Sequence, residues 1–417
     1  MENMFLELQS RGLIKDASNI EELVKLFKMK QTIYCGFDPS AKSMHVGNFL
    51  LISILMRLQR AGHRIIALVG GGTGMIGDPS GKLTERKFLS EKDVANNTML
   101  VKKQLERFID FENSKKGMIV NNYDWLSKLS LIDYLRDIGR YFQIGYLLSK
   151  DVVASRLEAG ISYSEFSYTV IQALDFKHLY ETYGCKIQIG GSDQWGNLTS
   201  GTELIRKSSE GKENAQVFVA PLILRSDGKK FGKSEDGALF LDPELTSPFR
   251  LYQYFINVPD ADAIHYLKVF TFLPLEEINK LEVEHLRAPH LRLAQITLAK
   301  EMVGTIHGSE ALSDAVRTTE ALFQNKVMDL DEKQLSALFK DPSFELKFET
   351  NILDFLVEIS AASSKREARE FVLGNSIMIN EVKITDSDFK INKNTTIKKK
   401  YILVRRGKKN VFFGIYR

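Results

Sequence analysis

The residues best suited to chemistry in this sequence lie in short polar blocks that contain glycine. The first block, YCGFDPSAKSMHVGN, covers residues 34–48 and runs from an apolar strand pattern through a turn into an apolar helix pattern. His45 and Asn48 are three residues apart at the start of that helix, so they share one face. Free N–H groups at a helix start attract anions, phosphate above all. The block therefore indicates a nucleotide site, and the alternative is that His45 is a helix cap or a solvated side chain.

Two further blocks are glycine-rich turns that follow apolar runs. GGGTGMIGDPSGK, residues 70–82, follows the run 64–69, and QIGGSDQWGN, residues 188–197, completes the run 186–189. Glycine at the end of a strand lets a ligand approach the backbone closely. The first of these turns is not GxGxxG, so a dinucleotide fingerprint is not supported.

Two blocks carry side chains with a direct chemical use. In FSYTVIQALDF, residues 166–176, the residues Tyr168, Gln172 and Asp175 form one polar line at helical spacing on an apolar segment. Such groups need partners, either within the core or on a polar ligand, and the pattern favours a ligand. The block KFGKS, residues 230–234, places Lys230 and Lys233 in a glycine-containing loop. Lysines on a mobile loop suit a reaction in which negative charge builds up, and the alternative is a solvated surface loop.

The elements that must position these blocks begin as a βαβ unit. Strands are predicted at 31–37 and 64–69 around a helix at 49–61, and further strands at 186–189 and within 216–224. A parallel sheet with a right-handed crossover follows from this order. Helical patterns dominate 91–158, and the segment 129–150 carries more large apolar residues than one core face needs. That segment either packs against a second copy of the chain or is fully internal.

The composition is that of an ordinary soluble globular protein, with 44% hydrophobic and 26% charged residues. The longest apolar stretch is too short to span a bilayer, and the first residues have no signal-peptide layout. Two cysteines do not make a disulfide framework, so a reducing cytoplasm is expected. No Ser-His-Asp or metal-ligand cluster is evident.

The charge is distributed unevenly along the chain. The total is +4, but residues 390–417 contain ten Lys or Arg and no Asp or Glu, which leaves −6 for the rest. A helical region at about 242–340 is followed by an expected linker at 341–350 and a distinct module at 351–417, whose net charge is +7. Basic termini suit a polyanionic partner such as nucleic acid, and a solvated tail is the alternative.

Taken in this order and at these separations, the five blocks resemble the bacterial tyrosyl-tRNA synthetases. HVGN at residues 45–48 is similar to the HxGH signature of that class, and KFGKS is similar to its KMSKS signature. The resemblance implies an α/β fold with a Rossmann-type parallel-sheet catalytic domain, then a helical domain and a small α+β RNA-binding module. The implied domains are 1–225 for tyrosine and ATP, 226–340 for the KFGKS loop and helical anticodon side, and 351–417 for RNA. The C-terminal part, through SSKREAREFVLGNSIMINEVKI, resembles an RNA-binding fold shared with a ribosomal protein.

The resemblance also implies a role for each matching residue. Contacts with tyrosine are implied for Tyr34, Asp78, Tyr168, Gln172, Asp175 and Gln194. Contacts with ATP are implied for Gly36, Asp38, Ser40, His45, Asn48, Gly191, Asp193 and Lys233. The catalytic set is His45, Asn48, Lys82, Arg86, Lys230, Lys233 and Ser234. RNA contacts are implied for Lys365, Arg366, Arg369 and Lys383.

The implied reaction joins tyrosine to ATP as tyrosyl-adenylate and then transfers the tyrosyl group to the 3′ end of tRNA(Tyr). The implied partners are L-tyrosine, ATP with Mg²⁺, tRNA(Tyr) and a second copy of the chain; no tightly bound cofactor and no membrane are expected. The sequence departs from the family pattern at Asn48, where a second histidine is usual, and at Ser40, where threonine is usual. Alternatives are a tryptophanyl-tRNA synthetase, against which Tyr34 and Asp175 argue, and a non-catalytic RNA-binding relative, against which the lysines argue.

Overall fold

The computed structural model describes residues 3–80, 88–157, 160–228, 231–234, 237–407 and 410–417. The chain divides into two compact units, of which the first is Met1–Leu245 with Pro259–Ala294. The second unit is Thr246–Val258 with Gln295–Arg417. The expected boundary after residue 225 lies inside the first unit, because Ser226 is hydrogen-bonded to Asp262 within the same unit.

The elements follow one another along the chain with short connections. Up to residue 245 they are α1 (Met4–Ser10), β1 (Asp16–Ala17), α2 (Ile20–Leu26), β2 (Thr32–Phe37), α3 (Val46–Arg60), β3 (Arg64–Val69), α4 (Thr73–Ile76), α5 (Glu91–Leu105), β4 (Gly117–Asn121), α6 (Tyr123–Leu126), α7 (Leu131–Asp133), α8 (Ile144–Leu148), α9 (Asp151–Leu157), α10 (Tyr163–Tyr183), β5 (Cys185–Gly191), α11 (Trp195–Ser208), β6 (Gln216–Ala220), β7 (Lys233–Ser234) and β8 (Gly237–Ala238). They continue as α12 (Pro248–Ile256), α13 (Asp260–Phe270), α14 (Leu275–Arg287), α15 (Leu293–His307), α16 (Ser309–Gln324), α17 (Glu332–Leu338), β9 (Phe344–Leu346), β10 (Thr350–Asn351), α18 (Ile352–Glu358), α19 (Lys365–Leu373), β11 (Ile377–Ile379), β12 (Val382–Lys383), β13 (Lys390–Ile391), β14 (Tyr401–Arg406) and β15 (Asn410–Tyr416).

The first unit is built on a sheet with the strand order β1-β6-β5-β2-β3-β4. The pairs from β6 to β4 are parallel, and β1 joins β6 antiparallel at the edge. Strands β2 and β3 are almost continuous apolar runs, as expected for parallel strands that are buried on both faces. The order reverses between β2 and β5, and in open parallel sheets ligands bind beyond the carboxyl ends of the strands at such a point.

The α/β fold class is confirmed, and the predicted parallel strands are present with small shifts of their ends. The prediction of uninterrupted helix over 91–158 is wrong, because β4 lies within it and pairs with β3. A run of five residues such as GMIVN cannot be distinguished from a helix segment by periodicity, and only pairing decides it.

The apolar segment 129–150 forms several short helical pieces instead of one helix. A π-helical turn at Tyr134–Ile138 and a 3₁₀ turn at Gly139–Tyr141 separate α7 from α8. Large apolar side chains on these pieces remain exposed, namely Leu131, Ile132, Leu135, Ile144 and Leu148. The alternative of a fully internal helix is therefore wrong for this segment.

The second unit ends in a five-stranded sheet of order β12-β11-β14-β15-β9 with α18 and α19 packed on its apolar core. The segment 341–350, expected as a linker, contributes β9, which pairs parallel with β15. Three paired residues at the sheet edge were not visible as a strand pattern in the sequence. A second core joins Leu335, Leu338 and Phe339 to Ile397, Tyr401 and Leu403. The basic module thus shares a core with the helices that precede it and is not a separable domain.

Within the described ranges, no helix is both long enough and apolar enough to cross a membrane.

Candidate active site

A cavity of about 580 Å³ in the first unit opens where β2 and β5 end. It brings together residues from five sequence blocks, as expected for side chains that follow neighbouring parallel strands. The predicted site residues on its wall are Tyr34, Gly36, Asp38, Ser40, His45, Asn48, Asp78, Tyr168, Gln172, Asp175, Gly191, Asp193 and Gln194.

A buried phenol and a buried carboxylate, Tyr34 and Asp175, form one end of the cavity. Trp125 Nε1 donates a hydrogen bond to Asp175 Oδ1 at 2.8 Å, and Asn122 Nδ2 donates to Oδ2 at 2.9 Å. Tyr34 is 1% exposed, and its Oη has no hydrogen-bond partner among the residues that the structure describes. A buried hydroxyl without a partner is costly, so this end suits a ligand that carries its own hydroxyl group.

Burial has a strong effect on the ionisation of both groups. It raises the pKa of the Asp175 carboxyl to about 7, while the hydrogen bonds from Asn122 and Trp125 act in the opposite direction. Burial and, second, the charge of Asp175 raise the pKa of the Tyr34 phenol well above its ordinary value. Tyr34 is therefore a neutral hydroxyl, and Asp175 is close to its titration midpoint at neutral pH.

The middle of the cavity contains a second hydrogen-bonded carboxylate, Asp38. Tyr168 Oη donates to its Oδ2 at 2.7 Å, and Thr73 Oγ1 donates to its Oδ1 at 2.7 Å. Gly70 makes room for this group, because a Cβ there would lie 2.0 Å from Asp38 Oδ1. Burial and the nearby Asp38 and Asp78 raise the pKa of the Tyr168 phenol, so Tyr168 acts as a donor.

A third carboxylate, Asp78, is connected to an amide chain. Gln194 Nε2 donates to Asp78 Oδ2 at 2.7 Å, and Asn197 Nδ2 donates to Gln194 Oε1 at 3.0 Å. Close by on α10, Gln172 Oε1 is buried and finds no partner within the described part of the chain. Two carboxylates and an unpaired amide oxygen in one cavity form an acceptor-rich wall, which suits an ammonium group on a ligand.

The opposite wall is the start of α3, with His45 at its N-cap and Asn48 in its first turn. The backbone N–H of His45 donates to Asn48 Oδ1 at 3.0 Å. Because a backbone N–H can only donate, the amide oxygen must face His45, and the amide NH₂ is left as the donor. A 15-residue helix beginning at this wall also directs its positive dipole end here. The arrangement suits a phosphate group.

Several predicted site residues cannot be placed in the cavity. Lys82 and Arg86 fall within 81–87 and Lys230 within 229–230, outside the described residues. Lys233 and Ser234 form β7 with their backbone, and their side chains are likewise outside the description. The predicted RNA contacts lie in the second unit, where Lys365, Arg366 and Arg369 are exposed on α19 and Lys383 is exposed on β12.

The sequence did not single out Asn122, Trp125 or Asn197. Asn122 follows β4 directly, so its place at the carboxyl end of a parallel strand was a usable signal once β4 was known. Trp125 and Asn197 act on the site only through contacts with distant residues. In the part of the chain that the structure describes, no group of three His, Cys, Asp or Glu side chains is arranged to hold a metal ion.

Two family models match this chain. Residues 28–324 match the model of tRNA synthetases class I (W and Y). Residues 334–413 match the model described as "Tyrosine--tRNA ligase SYY-like C-terminal domain".

Curated relatives match over the whole length. The chain is 49% identical over 414 residues to the tyrosine--tRNA ligase of Staphylococcus carnosus (strain TM300), with 99% of this chain and 98% of the relative covered. It is 48% identical over 416 residues to tyrosine--tRNA ligase 1 of Bacillus cereus (strain ATCC 10987 / NRS 248), with 98% and 99% covered.

Solved structures agree with this assignment. A C-terminally truncated mitochondrial tyrosyl-tRNA synthetase of Aspergillus nidulans has a TM-score of 0.70 at 32% identity, over 77% of this chain and 94% of that one. A tyrosyl-tRNA synthetase of Archaeoglobus fulgidus has a TM-score of 0.56 at 18% identity, over 75% of this chain and 99% of that one, which shows a shared fold. The chain therefore belongs to the tyrosine–tRNA ligase family of class I aminoacyl-tRNA synthetases. Members of this family use ATP as a substrate.

Proposed function

We propose that this protein activates L-tyrosine with ATP in the cavity of the first unit and transfers the tyrosyl group to the 3′ end of tRNA(Tyr). The observation that carries the amino-acid choice is the unpartnered, buried Tyr34 Oη beside Asp175. The phenol of a bound tyrosine can accept a hydrogen bond from Tyr34 and donate one to Asp175, which satisfies both groups. Phenylalanine satisfies neither.

The other half of the amino acid would lie along the acceptor-rich wall. In the proposed pose, Asp78, Tyr168 and Gln172 hold the α-ammonium group, and Gln194 lies near the reacting carboxylate. An amino-acid carboxylate has a pKa of about 3.5, so it arrives ionised and needs no catalytic base. What it needs is in-line placement against the α-phosphorus of ATP and stabilisation of the charge that develops on pyrophosphate.

ATP would be bound between the start of α3 and the end of β5. We assign the ribose and adenosine contacts to Gly36, Asp38, Gly191 and Asp193, with Ser40 beside them. His45 and the NH₂ group of Asn48 donate to the phosphates, so asparagine supplies the donor expected of a second histidine. Lys82, Arg86, Lys230, Lys233 and Ser234 form the pyrophosphate cradle in this proposal, on the strength of the family resemblance. Mg²⁺ would enter with the ATP phosphates and keep most of its waters.

The test is tyrosine-dependent exchange between ATP and pyrophosphate. Wild-type protein should support exchange with tyrosine and not with tryptophan or phenylalanine at equal concentration. Tyr34→Phe should lower the kcat/KM for tyrosine about tenfold, since it removes one hydrogen bond of roughly 1–1.5 kcal/mol, and leave the value for phenylalanine unchanged or higher. An unchanged ratio between the two amino acids would contradict the role of Tyr34. Exchange with tryptophan instead of tyrosine would contradict the function itself.

The second unit is proposed to bind tRNA, and the protein is proposed to work in the cytoplasm. Arg366 and Arg369 are three residues apart on α19 and share an exposed face with Lys365 beside them. Lys365 also forms an ion pair with Asp354 of α18, which positions it at the edge of that face. Spaced cations on a fixed helix suit the phosphates of folded RNA.

We also propose that the protein is a homodimer that uses the exposed apolar side chains of α7, the π-turn and α8. Leu131, Ile132 and Ile144 are each at least 66% exposed, and contiguous apolar surface of this kind marks an interface. Sedimentation equilibrium should give twice the chain mass of 47.4 kDa. Ile144→Glu should lower the mass to that of one chain, because it places a charge in the interface.

The matched control for this substitution is Met29→Glu. Met29 is 71% exposed against 70% for Ile144 and lies elsewhere on the same unit. The control should leave the mass unchanged. A single-chain mass for wild type, or a normal dimer with Ile144→Glu, would refute the assignment of this surface.

A further inference from the structure

The segment that leads into the KFGKS block is fastened to α13 at its beginning. Asp262, which is 7% exposed, accepts the backbone N–H of Ser226 with both carboxylate oxygens, each at 3.1 Å. It also accepts the Ser226 hydroxyl at 3.1 Å. One turn further along α13, Tyr266 Oη donates to the carbonyl of Leu224 at 3.2 Å. A carboxylate that accepts three hydrogen bonds from one residue fixes the backbone there closely.

The same helix receives the aromatic residue of the KFGKS block. Phe231 is 7% exposed, and its ring stacks on Phe270 with centroids 4.6 Å apart. It meets Tyr266 edge-on at 4.9 Å. Such ring pairs contribute roughly 0.5–1.5 kcal/mol each beyond the area they bury. Phe231 lies between the two lysines of the block, so its seat on α13 determines where the chain enters and leaves that part of the loop.

Gly232 connects this seat to the phosphate wall. Its φ of +76° favours glycine, and a Cβ there would lie 3.4 Å from the backbone N of Gly47. The carbonyl of Gly232 accepts from Leu239 N at 2.9 Å, and the carbonyl of Leu239 accepts from Val46 N at 2.8 Å. The block therefore rests on the start of α3, where His45 and Asn48 lie.

The far end of α13 is held by two buried arginines. Arg11 Nη2 donates to the carbonyl of Leu273 at 2.9 Å and Nη1 to that of Lys268 at 3.3 Å, and Arg57 Nη2 donates to the carbonyl of Thr271. Cations that bind the carbonyls at a helix C-terminus stabilise that end. Arg57 belongs to α3, so one helix carries the phosphate wall at its start and secures α13 near its end.

We propose that α13 is the platform that sets the position of the KFGKS lysines during adenylate formation, with Asp262 and Phe231 as positioning residues. This inference rests on the function proposed above. Neither side chain is a catalytic residue; each acts through the loop backbone. A misplacement of about 1 Å in a catalytic group can cost on the order of 100-fold in rate, so loosening either attachment should slow the chemical step.

The first measurement is the single-turnover rate of tyrosyl-adenylate formation, alongside the Kd for tyrosine. Asp262→Asn keeps the shape of the side chain but presents an NH₂ to one of the Ser226 donors. We expect the rate to fall about 10- to 100-fold with the tyrosine Kd changed less than twofold. Glu276→Gln is the control, because it removes an exposed carboxylate from the first turn of the neighbouring helix α14, and it should match wild type.

The second measurement is a double-mutant cycle with Lys233→Ala. If Asp262 and Phe231 act through the loop lysines, adding Asp262→Asn to Lys233→Ala should cost less than threefold more, because the misplaced group is already absent. Phe231→Leu should retain more activity than Phe231→Ala, and it serves in its place if the alanine variant does not fold.

Additive losses in the cycle, an equal weakening of tyrosine binding, or a wild-type rate for Asp262→Asn would each overturn the inference. These outcomes require that wild-type protein forms tyrosyl-adenylate. Wild-type protein that forms none would refute the proposed function instead, and the inference with it.

Discussion

Replacing Asp175 with asparagine should weaken tyrosine binding about 100-fold and abolish its pH dependence. A hydrogen bond to a charged group contributes roughly 1.5–3 kcal/mol, and the change also turns an NH₂ group toward Asn122 or Trp125, which are both donors. The measurement is the Kd for tyrosine by equilibrium titration, with the kcat/KM for ATP–pyrophosphate exchange alongside it. The loss should appear for tyrosine and not for phenylalanine.

The pH dependence of the wild-type protein has a definite sign. The pKa of Asp175 is raised to about 7 by burial, so the ionised carboxylate is the minor form at pH 6 and the major form at pH 8. Because the ionised form is the better acceptor for a phenol, the tyrosine Kd should fall up to tenfold over this interval. A flat profile for wild type would contradict the role of Asp175 as the ionised acceptor.

Stability provides the control for the Asp175 experiment. The folded-state pKa lies above the ordinary value of 3.8, so the stability that comes from the neutral carboxyl is full below about pH 4 and is lost as the pH rises through about 7. Asp175→Asn removes that loss, and the variant should unfold at the same or a higher temperature than wild type at pH 8. Weakened binding with a lower unfolding temperature would indicate damage to the fold instead.

Replacing Lys365, Arg366, Arg369 and Lys383 together with glutamine should reduce tRNA binding and leave adenylate formation at the wild-type rate. If each side chain neutralises one phosphate, the plot of log affinity against log salt should become shallower by about 3, at roughly 0.7–0.9 per contact. Charging of tRNA(Tyr) should then fall most at low salt, where counterion release contributes most. All four positions are exposed, so the fold should be preserved.

The charge-matched control replaces Lys28, Lys92, Lys102 and Lys103, which are exposed on the first unit, with glutamine. It changes the net charge equally and should leave the salt slope within one unit of wild type. Equal slopes for the two quadruple variants would mean that only overall charge matters and would refute this RNA surface. Substitution is the better experiment than truncation after residue 340, because Leu335, Leu338 and Phe339 share a core with Tyr401 and Leu403.

The sequence predicted the parts of this protein whose signals are local. The apolar runs of β2 and β3 had to be buried strands, and the parallel βαβ order places their carboxyl ends at one edge of the sheet. The polar line of Tyr168, Gln172 and Asp175 follows from helical spacing alone, and α10 does present all three to the cavity. These features depend on periods of two and 3.6 residues, which are properties of the backbone.

Tertiary structure alone decided which groups tune those residues. Trp125 and Asn122 reach Asp175 across 50 and 53 positions, and Asp262 reaches Ser226 across 36, which no local period encodes. The strand β9 is likewise a strand only because β15 lies beside it. The sequence by itself therefore determined the family, the fold class and the residues that face the substrates. Packing between distant segments determined the pKa of Asp175, the seat of the KFGKS block and the unity of the C-terminal core, because burial and hydrogen-bond partners exist only once the chain has folded.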